Sequence, residues 1–277
     1  MGRRPDDLAR GLASLAAQTG VVLDVVVVGN SWQPSGLPRG VGSLFLPENL
    51  GIPTGRNRGA TQVGGDYIFF LDDDASIPSP SFLADAVAKI EADPSIGLLQ
   101  PRVEDPTGAA NPRRWVPRIR KGAATDSSNA FSVWEGATLL PRRVFDATGW
   151  WADPFFYAHE GIELAWRVWD QGLRVLYAGD LVANHPAIEP TRHEYYYRLN
   201  ARNRVWLAKR NLPWALVPFY VASWTGIQLL RSARRPRGLG SWFGGWVEGW
   251  RRSPGGRRRI KWVTVARMAR AGRPPLI

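Results

Sequence analysis

The segment Ile68-Phe69-Phe70-Leu71 runs without interruption into Asp72-Asp73-Asp74. A short apolar run of this kind marks a strand buried on both faces, as in a sheet covered by helices on each side. Three adjacent carboxylates repel one another, so the strand must end in an exposed turn or beside a counter-cation. In open α/β sheets ligands bind at the carboxyl ends of the strands. Asp72 and Asp74 alternate to the same side and can share one hard divalent ion with diphosphate oxygens. The structural alternative is an acidic lead-in to the helix that follows.

The flanking sequence repeats the theme. Residues 21–28 are nearly all β-branched and predict a second buried strand, closed by Gly29-Asn30-Ser31. Residues 43–46, 96–100, 131–140 and 173–178 are strand-like, while helical spacing marks 3–19, 53–63, 81–92, 141–147 and 159–171. Strands alternating with helices predict βαβ units and a parallel α/β sheet. Residues 101–130, rich in Pro, Gly, Arg and Asn, read as a long loop. A chain of 277 residues allows one large core with at most a modest appendage. Having no cysteine, it has neither disulfides, thiolate metal sites nor cysteine nucleophiles, which fits a reducing compartment. Its first ten residues are polar and do not read as a signal peptide.

Charge divides the chain. Residues 1–189 carry 17 Lys/Arg against 22 Asp/Glu, whereas residues 190–277 carry 19 against 2. The expected organisation is therefore a catalytic body, 1–189, and a basic helical region, 190–277. Seven of the 14 tryptophans fall in 206–262, and Trp interleaved with Arg suits an anionic membrane surface. Nucleic acid is the other polyanion to consider, but no recognition motif accompanies the charge, so no specific nucleic acid is expected. Residues 212–230 are uncharged but contain Pro213, Pro218, Ser223, Thr225 and Gln228, with basic clusters at both ends. An interfacial or buried helix is expected there rather than a span.

Several motifs surround the acidic cluster. Glu48-Asn49-Leu50-Gly51-Ile52-Pro53-x-Gly55-Arg56-Asn57-x-Gly59 has glycines that permit close backbone approach. Glu160 and Glu163 share one helical face, and Arg167, four beyond Glu163, can pair with it. Glu163 thus reads as structural and Glu160 as the general base. His185 follows a strand and precedes Pro186, at the sheet edge, where it is a candidate metal ligand; His159 and His193 have weaker claims. Trp134-Glu135-Gly136 sets an indole beside a carboxylate after the long loop, readable equally as a core tryptophan or as part of a binding surface.

In this order and spacing the motifs resemble those of the family 2 glycosyltransferases, which are mostly inverting enzymes of the GT-A fold, a Rossmann-like mixed sheet flanked by helices. The resemblance covers residues 3–211 and includes members of the rhamnosyl- and galactofuranosyl-transferase kind. It implies a nucleotide-diphospho-sugar donor bound near Asn30, Asn49, Gly51, Arg56, Asn57, Asp72 and Asp73. It implies a divalent metal, Mg2+ or Mn2+, on the Asp-x-Asp pair Asp72 and Asp74, with His185. Glu160, Glu163 and Arg167 are similar to the acidic catalytic helix, and Trp134, Glu135 and Gly136 to the acceptor side. The family pattern departs at Gly161, where its catalytic Asp usually stands. The expected acceptor is a glycan or polyprenyl-linked hydroxyl in cell-envelope polysaccharide synthesis, at the cytoplasmic face of the membrane.

The family's fold opens on a central apolar strand, yet Met1-Gly2-Arg3-Arg4-Pro5 reads as the loop beyond it, so a start further upstream is expected. Two other readings stay open. A strand ending in Asp-x-Asp also occurs in haloacid-dehalogenase-like phosphatases, whose later acidic motif Gly179-Asp180-x-x-x-Asn184 mimics. A binding protein with a decayed site is the other.

Overall fold

The strands lie in two sheets. In the computed structural model, which describes residues 4–112, 115–117, 122–187, 194–233 and 236–276, β1 (Val25–Asn30) pairs in parallel with β2 (Val41–Leu46). The main sheet contains β3 (Tyr67–Leu71), β4 (Ile96–Glu104), β5 (Ser128–Ala130), β6 (Ala137–Pro141) and β7 (Arg174–Asn184), in the order β3-β6-β4-β7-β5. β6 runs antiparallel to β3 and β4, and β7 runs parallel to β4. β3, β4 and β7 therefore end on the same side of the sheet. Among the described residues β1 and β3 each have a single strand neighbour.

Consecutive apolar residues go to opposite faces, as a period of two requires. Leu98, Leu140 and Val175 join one buried cluster and Leu99, Leu139 and Leu176 the other. The second face is covered by α3 (Phe82–Ala92) through Phe82, Leu83, Ala86 and Ile90. The first is covered by α4 (Arg142–Thr148) and α5 (Glu160–Asp170). α1 (Pro5–Ala16) rests on the turn after β3, with Gly11 close against the Ala75 carbonyl. α2 (Ile52–Ala60) lies on β1, where Gly59 leaves room for Val28.

The basic region forms α6 (Glu194–Asn211), α7 (Val217–Ser232), α8 (Leu239–Arg251) and α9 (Trp262–Arg270). Val205, Trp206, Tyr220 and Met268 join the same apolar cluster as α5. The 189/190 boundary and His193 fall on residues 188–193, outside the described residues. No described helix is long and apolar enough to cross a membrane. α7 buries Val217, Tyr220 and Val221 and exposes Phe219 and Leu230.

Three local expectations are corrected. Of the strand expected at 131–140 only the part from Ala137 is strand (β6), because Phe131 and Val133 pack into the core from the turn that separates it from β5. The loop expected at 101–130 includes the end of β4, and Trp115 within it is fully buried. The run 21–28 becomes strand only from Val25, since Val22 lies in solvent.

Candidate active site

β3 delivers Asp72, Asp73 and Asp74 into a tight turn, in which Ala75 N donates to the Asp72 carbonyl at 3.0 Å. The far side of that turn is fixed to the end of β7. Ser76 and Asn184 exchange backbone hydrogen bonds of 2.9 and 2.7 Å, and His185 N donates to Glu104 O at 2.9 Å. His185 thereby sits with its Nε2 3.0 Å from Asp74 Oδ1. Asp72, Asp74 and His185 each offer one ligand atom, all within 4.8 Å of one another. Two carboxylate oxygens and an imidazole suit a Mg2+ or Mn2+ ion completed by ligand oxygens, so the donor set fits the expected metal.

Cations already surround these carboxylates. Arg56 Nη2 reaches Asp72 Oδ1 at 2.7 Å, and Arg4 pairs with Asp74. Burial raises the Asp73 carboxyl above its ordinary value, and repulsion from Asp74 and Asp72 adds to it. Burial also opposes ionisation of Asp74, but the hydrogen bond and charge of His185, with Arg4, hold its carboxyl below the usual range. Asp74 in turn raises the imidazole of His185 against the effect of burial.

Aromatic rings wall the site. His185 meets Trp134 and Trp115 edge-on, with ring centroids 4.9 and 5.4 Å away. Buried Gln100 on β4 fixes both tryptophans: its Oε1 accepts from Trp134 N at 2.6 Å and its Nε2 donates to Trp115 O at 3.0 Å. Gly136 N-terminal to β6 lets this turn approach the metal-site strand, and Asp72 N donates to Gly136 O at 2.9 Å. A Cβ at 136 would lie 2.7 Å from Asp72 Oδ2.

Glu160 stands at the start of α5 and is 3% exposed. Burial and the neighbouring charge of Glu135 push its carboxyl up to about 8, opposed by Arg56. Glu135 is likewise raised by desolvation. Its Oε1 accepts from Gly161 N at 2.8 Å, capping the helix. A side chain at 161 would overlap that oxygen and lie 2.5 Å from Val133 O. Glu135 thus fills the space that a side chain at position 161 would enter.

The loop before Glu160 is strained: Phe156, Ala158 and His159 have φ of 63°, 72° and 72°. Asn203 on α6 holds it, donating through Nδ2 to the carbonyls of Phe155, Tyr157 and Ala158 at 2.8, 2.6 and 2.9 Å. His159 contacts Asn200 O at 3.1 Å, and burial, with the charge of Arg204, keeps its imidazole well below its ordinary value.

The remaining residues singled out from the sequence have defined places. Glu163, 1% exposed, is held between Arg167 and Arg210, the latter at 2.5 Å, and is not among the metal-site carboxylates. Asn30 shapes the glycine stretch, accepting from Leu50 N at 2.8 Å and donating to Gly51 O at 2.9 Å. Asn49 Oδ1 accepts from Gly51 N at 3.0 Å. Gly51 has φ of 85° and lies against Phe156, so no side chain fits there. Asn57 ties α2 to the Trp151 backbone, at 2.9 and 3.0 Å. Asp180 pairs with Lys89 at 2.6 Å, outside the Asp72–Asp74–His185 group, so the phosphatase-like motif does not converge on the acidic turn. The sequence reading did not single out Arg4, Trp115, Asn203 or Arg210.

The chain is similar to several proteins of known kind. It is 27% identical over 246 residues to the O-antigen biosynthesis protein RfbC of Myxococcus xanthus, a match covering 76% of this chain and 19% of that protein. The chain therefore spans about a fifth of that relative's length. The fold is similar to that of GalNAc-T7 crystallised with UDP, GalNAc and Mn2+, with a TM-score of 0.62, 16% identity and coverage of 98% of this chain and 55% of that one. It is also similar to S. aureus TarS 1-349 in complex with UDP-GlcNAc, with a TM-score of 0.61, 15% identity and coverage of 94% and 79%. These likenesses, with the mixed sheet and its flanking helices, show the GT-A fold. The model of glycosyl transferase family 2 matches residues 3–149, more than half of the chain, and the chain belongs to that family.

Proposed function

We propose that the protein is a metal-dependent, inverting glycosyltransferase of the hexosyl type. It moves a sugar from a nucleotide-diphospho-sugar to a hydroxyl of a glycan or polyprenyl-linked acceptor. The observation that carries the reading is the convergence of Asp72, Asp74 and His185 at the ends of two parallel strands, with Arg56 paired to Asp72 and near enough to half-buried Glu135 and buried Glu160 to favour their ionised forms. A divalent ion held by Asp72, Asp74 and His185 would offset the charge of the departing nucleoside diphosphate.

Glu160 takes the proton of the acceptor hydroxyl. Its raised pKa makes it a strong base once ionised, and proximity to Arg56 favours that form. Glu135 orients Glu160 through the first turn of α5 and binds acceptor hydroxyls from its partly exposed side. Trp134, edge-on to His185, offers its remaining surface to a sugar ring. Arg56 and the backbone of the Asn49–Gly51 turn, shaped by Asn30 and tied down through Asn57, line the nucleotide side together with Asp73. Glu163 positions α5 rather than touching substrate.

The basic helical region is the membrane-facing part of this reading. Trp214, Phe219, Leu230, Trp262 and Val263 are exposed among many arginines, the composition of a surface lying on anionic lipid. The working place is then the cytoplasmic face of a membrane, in cell-envelope polysaccharide synthesis. A panel of nucleotide sugars, incubated with Mn2+ and acceptor lipid extracts, tests the reading. Transfer of one labelled sugar that stops in Glu160→Gln supports it; undiminished transfer by that variant overturns the assignment of the base.

A further inference from the structure

Each of the two carboxylates assigned to the metal already carries a guanidinium. Arg56 Nη2 stands 2.7 Å from Asp72 Oδ1, and Arg4 Nη1 donates to Asp74 Oδ2. The other oxygen of Asp74 faces His185 Nε2 at 3.0 Å, so both of its oxygens are engaged. Asp72, Asp73 and Asp74 are thereby set against two positive charges supplied from α2 and from the start of α1. A divalent ion entering alone would tip this turn from net negative to net positive. It would also stand beside the Arg4 guanidinium on the same carboxylate.

The two arginines are built differently. Arg56 is packed: its side chain is 11% exposed, its guanidinium lies over the Trp151 ring at 4.9 Å, and Nη1 is buried without a hydrogen-bond partner. The Arg4 side chain is 43% exposed and projects from the N-terminal end of α1. That helix is a firmly seated carrier. Gly11 lies against the Ala75 carbonyl, Ile77 N donates to Ser14 Oγ at 3.2 Å, and Thr19 N donates to Pro80 O at 2.8 Å. The Arg4 backbone is therefore held beside the acidic turn, while its side chain can leave Asp74 for solvent or for another anion. That side chain does not cap α1, so its replacement leaves the helix intact.

We propose that Arg4 gates the metal site: its guanidinium holds Asp74 until the oxygens of a diphosphate draw it away, so that the divalent ion and the diphosphate enter together. The gate rests on the reading of Asp72, Asp74 and His185 as a metal site. A lone divalent ion repels Arg4 and offers it no new partner. A metal–diphosphate complex carries net negative charge and brings acceptor oxygens that can replace the Asp74 carboxylate as that partner. Arg4 thus acts through Asp74, as a positioning residue, and couples the two ligands.

The test is equilibrium dialysis of the full chain against Mn2+ alone and against the Mn2+–pyrophosphate complex, with bound manganese as the readout. The parent is expected to bind the complex at least about tenfold more tightly than Mn2+ alone. Arg4→Gln is expected to bind Mn2+ alone about five- to tenfold more tightly than the parent does, and the complex no more tightly, so that the preference contracts. Arg4→Lys, which keeps the charge, should lie closer to the parent than to Arg4→Gln. Arg10→Gln removes an equal charge from α1, but one that pairs with Asp7, and should match the parent. Parental Mn2+ affinity in Arg4→Gln, or an equal gain in Arg10→Gln, would overturn the gate and leave the metal site standing. Manganese bound by none of these proteins in either form would overturn the metal-site reading and the gate with it.

Discussion

Replacing Gly161 by Ala tests the packing of the catalytic turn. In an unhindered helix this change stabilises by about 0.5–1 kcal/mol, because glycine loses more backbone entropy on folding. Gly161 has no positive φ, so its backbone accepts alanine. The obstacle is space: the added methyl overlaps Glu135 Oε1 and lies 2.5 Å from the Val133 carbonyl, which as backbone cannot swing away. Overpacking of this kind costs roughly 1–3 kcal/mol. Displacing Glu135 also loses its hydrogen bond from Gly161 N, about 1.5–3 kcal/mol for a charged acceptor. Net of the helix gain, Gly161→Ala should destabilise by about 2–4 kcal/mol, lowering the melting temperature by roughly 5–15 °C for a chain of this size. In a Glu135→Ala background only the Val133 contact remains, and the cost should shrink by at least the lost hydrogen bond, about 1.5–3 kcal/mol. Thermal and urea melts of the four proteins measure this cycle. A Gly161→Ala protein as stable as the parent, or a cost unchanged without Glu135, would refute the reasoning.

Four other substitutions separate chemistry from support. Glu163→Gln leaves Arg167 and Arg210 facing each other without their carboxylate and should cost about 3–5 kcal/mol in urea melts. Its donor KM should stay near that of the parent. Glu160 titrates near 8 in the folded chain against an ordinary 4.5, so between those values the folded state binds more protons than the unfolded one. Its contribution to stability is therefore fully present below about pH 4.5 and lost as pH rises through about 8. Glu160→Gln should flatten that fall in melting temperature, and kcat of the parent should rise with pH over the same window. Glu135→Gln, which removes the like charge, should move that rise to lower pH. Asn203→Ala frees three loop carbonyls and should lower kcat more than stability, with faster amide exchange at residues 155–159.

The alternation of strands and helices was legible because buried strands are written as short apolar or β-branched runs, and β1, with four consecutive valines, is the clearest of them. The grouping of Asp72, Asp74 and His185 was also foreseeable, since β3 and β7 run parallel and end on the same side. Strand ends were harder. β7 continues to Asn184 because Gly179-Asp180-Leu181 is accommodated as an irregularity: Ala178 pairs with Pro101, and pairing with β4 resumes at Val182 and Arg102. Phe131 and Val133 looked like ladder residues, yet their apolar side chains fill the core from a turn. Asn203 and Arg210 were not legible, because their partners lie more than 40 residues away on the α5 side. The proximity of Glu135 to position 161 is a matter of shared space, and no sequence spacing records it.

The central claim is a nucleoside-diphosphate site built on the acidic turn and completed by a divalent ion. Equilibrium binding of UDP and GDP, with and without Mn2+, to the parent and to Asp74→Asn tests it most directly. The expected result is binding of at least one nucleotide that Mn2+ tightens tenfold or more in the parent and leaves unchanged in Asp74→Asn. Binding indifferent to Mn2+, or equally tightened in Asp74→Asn, would contradict it.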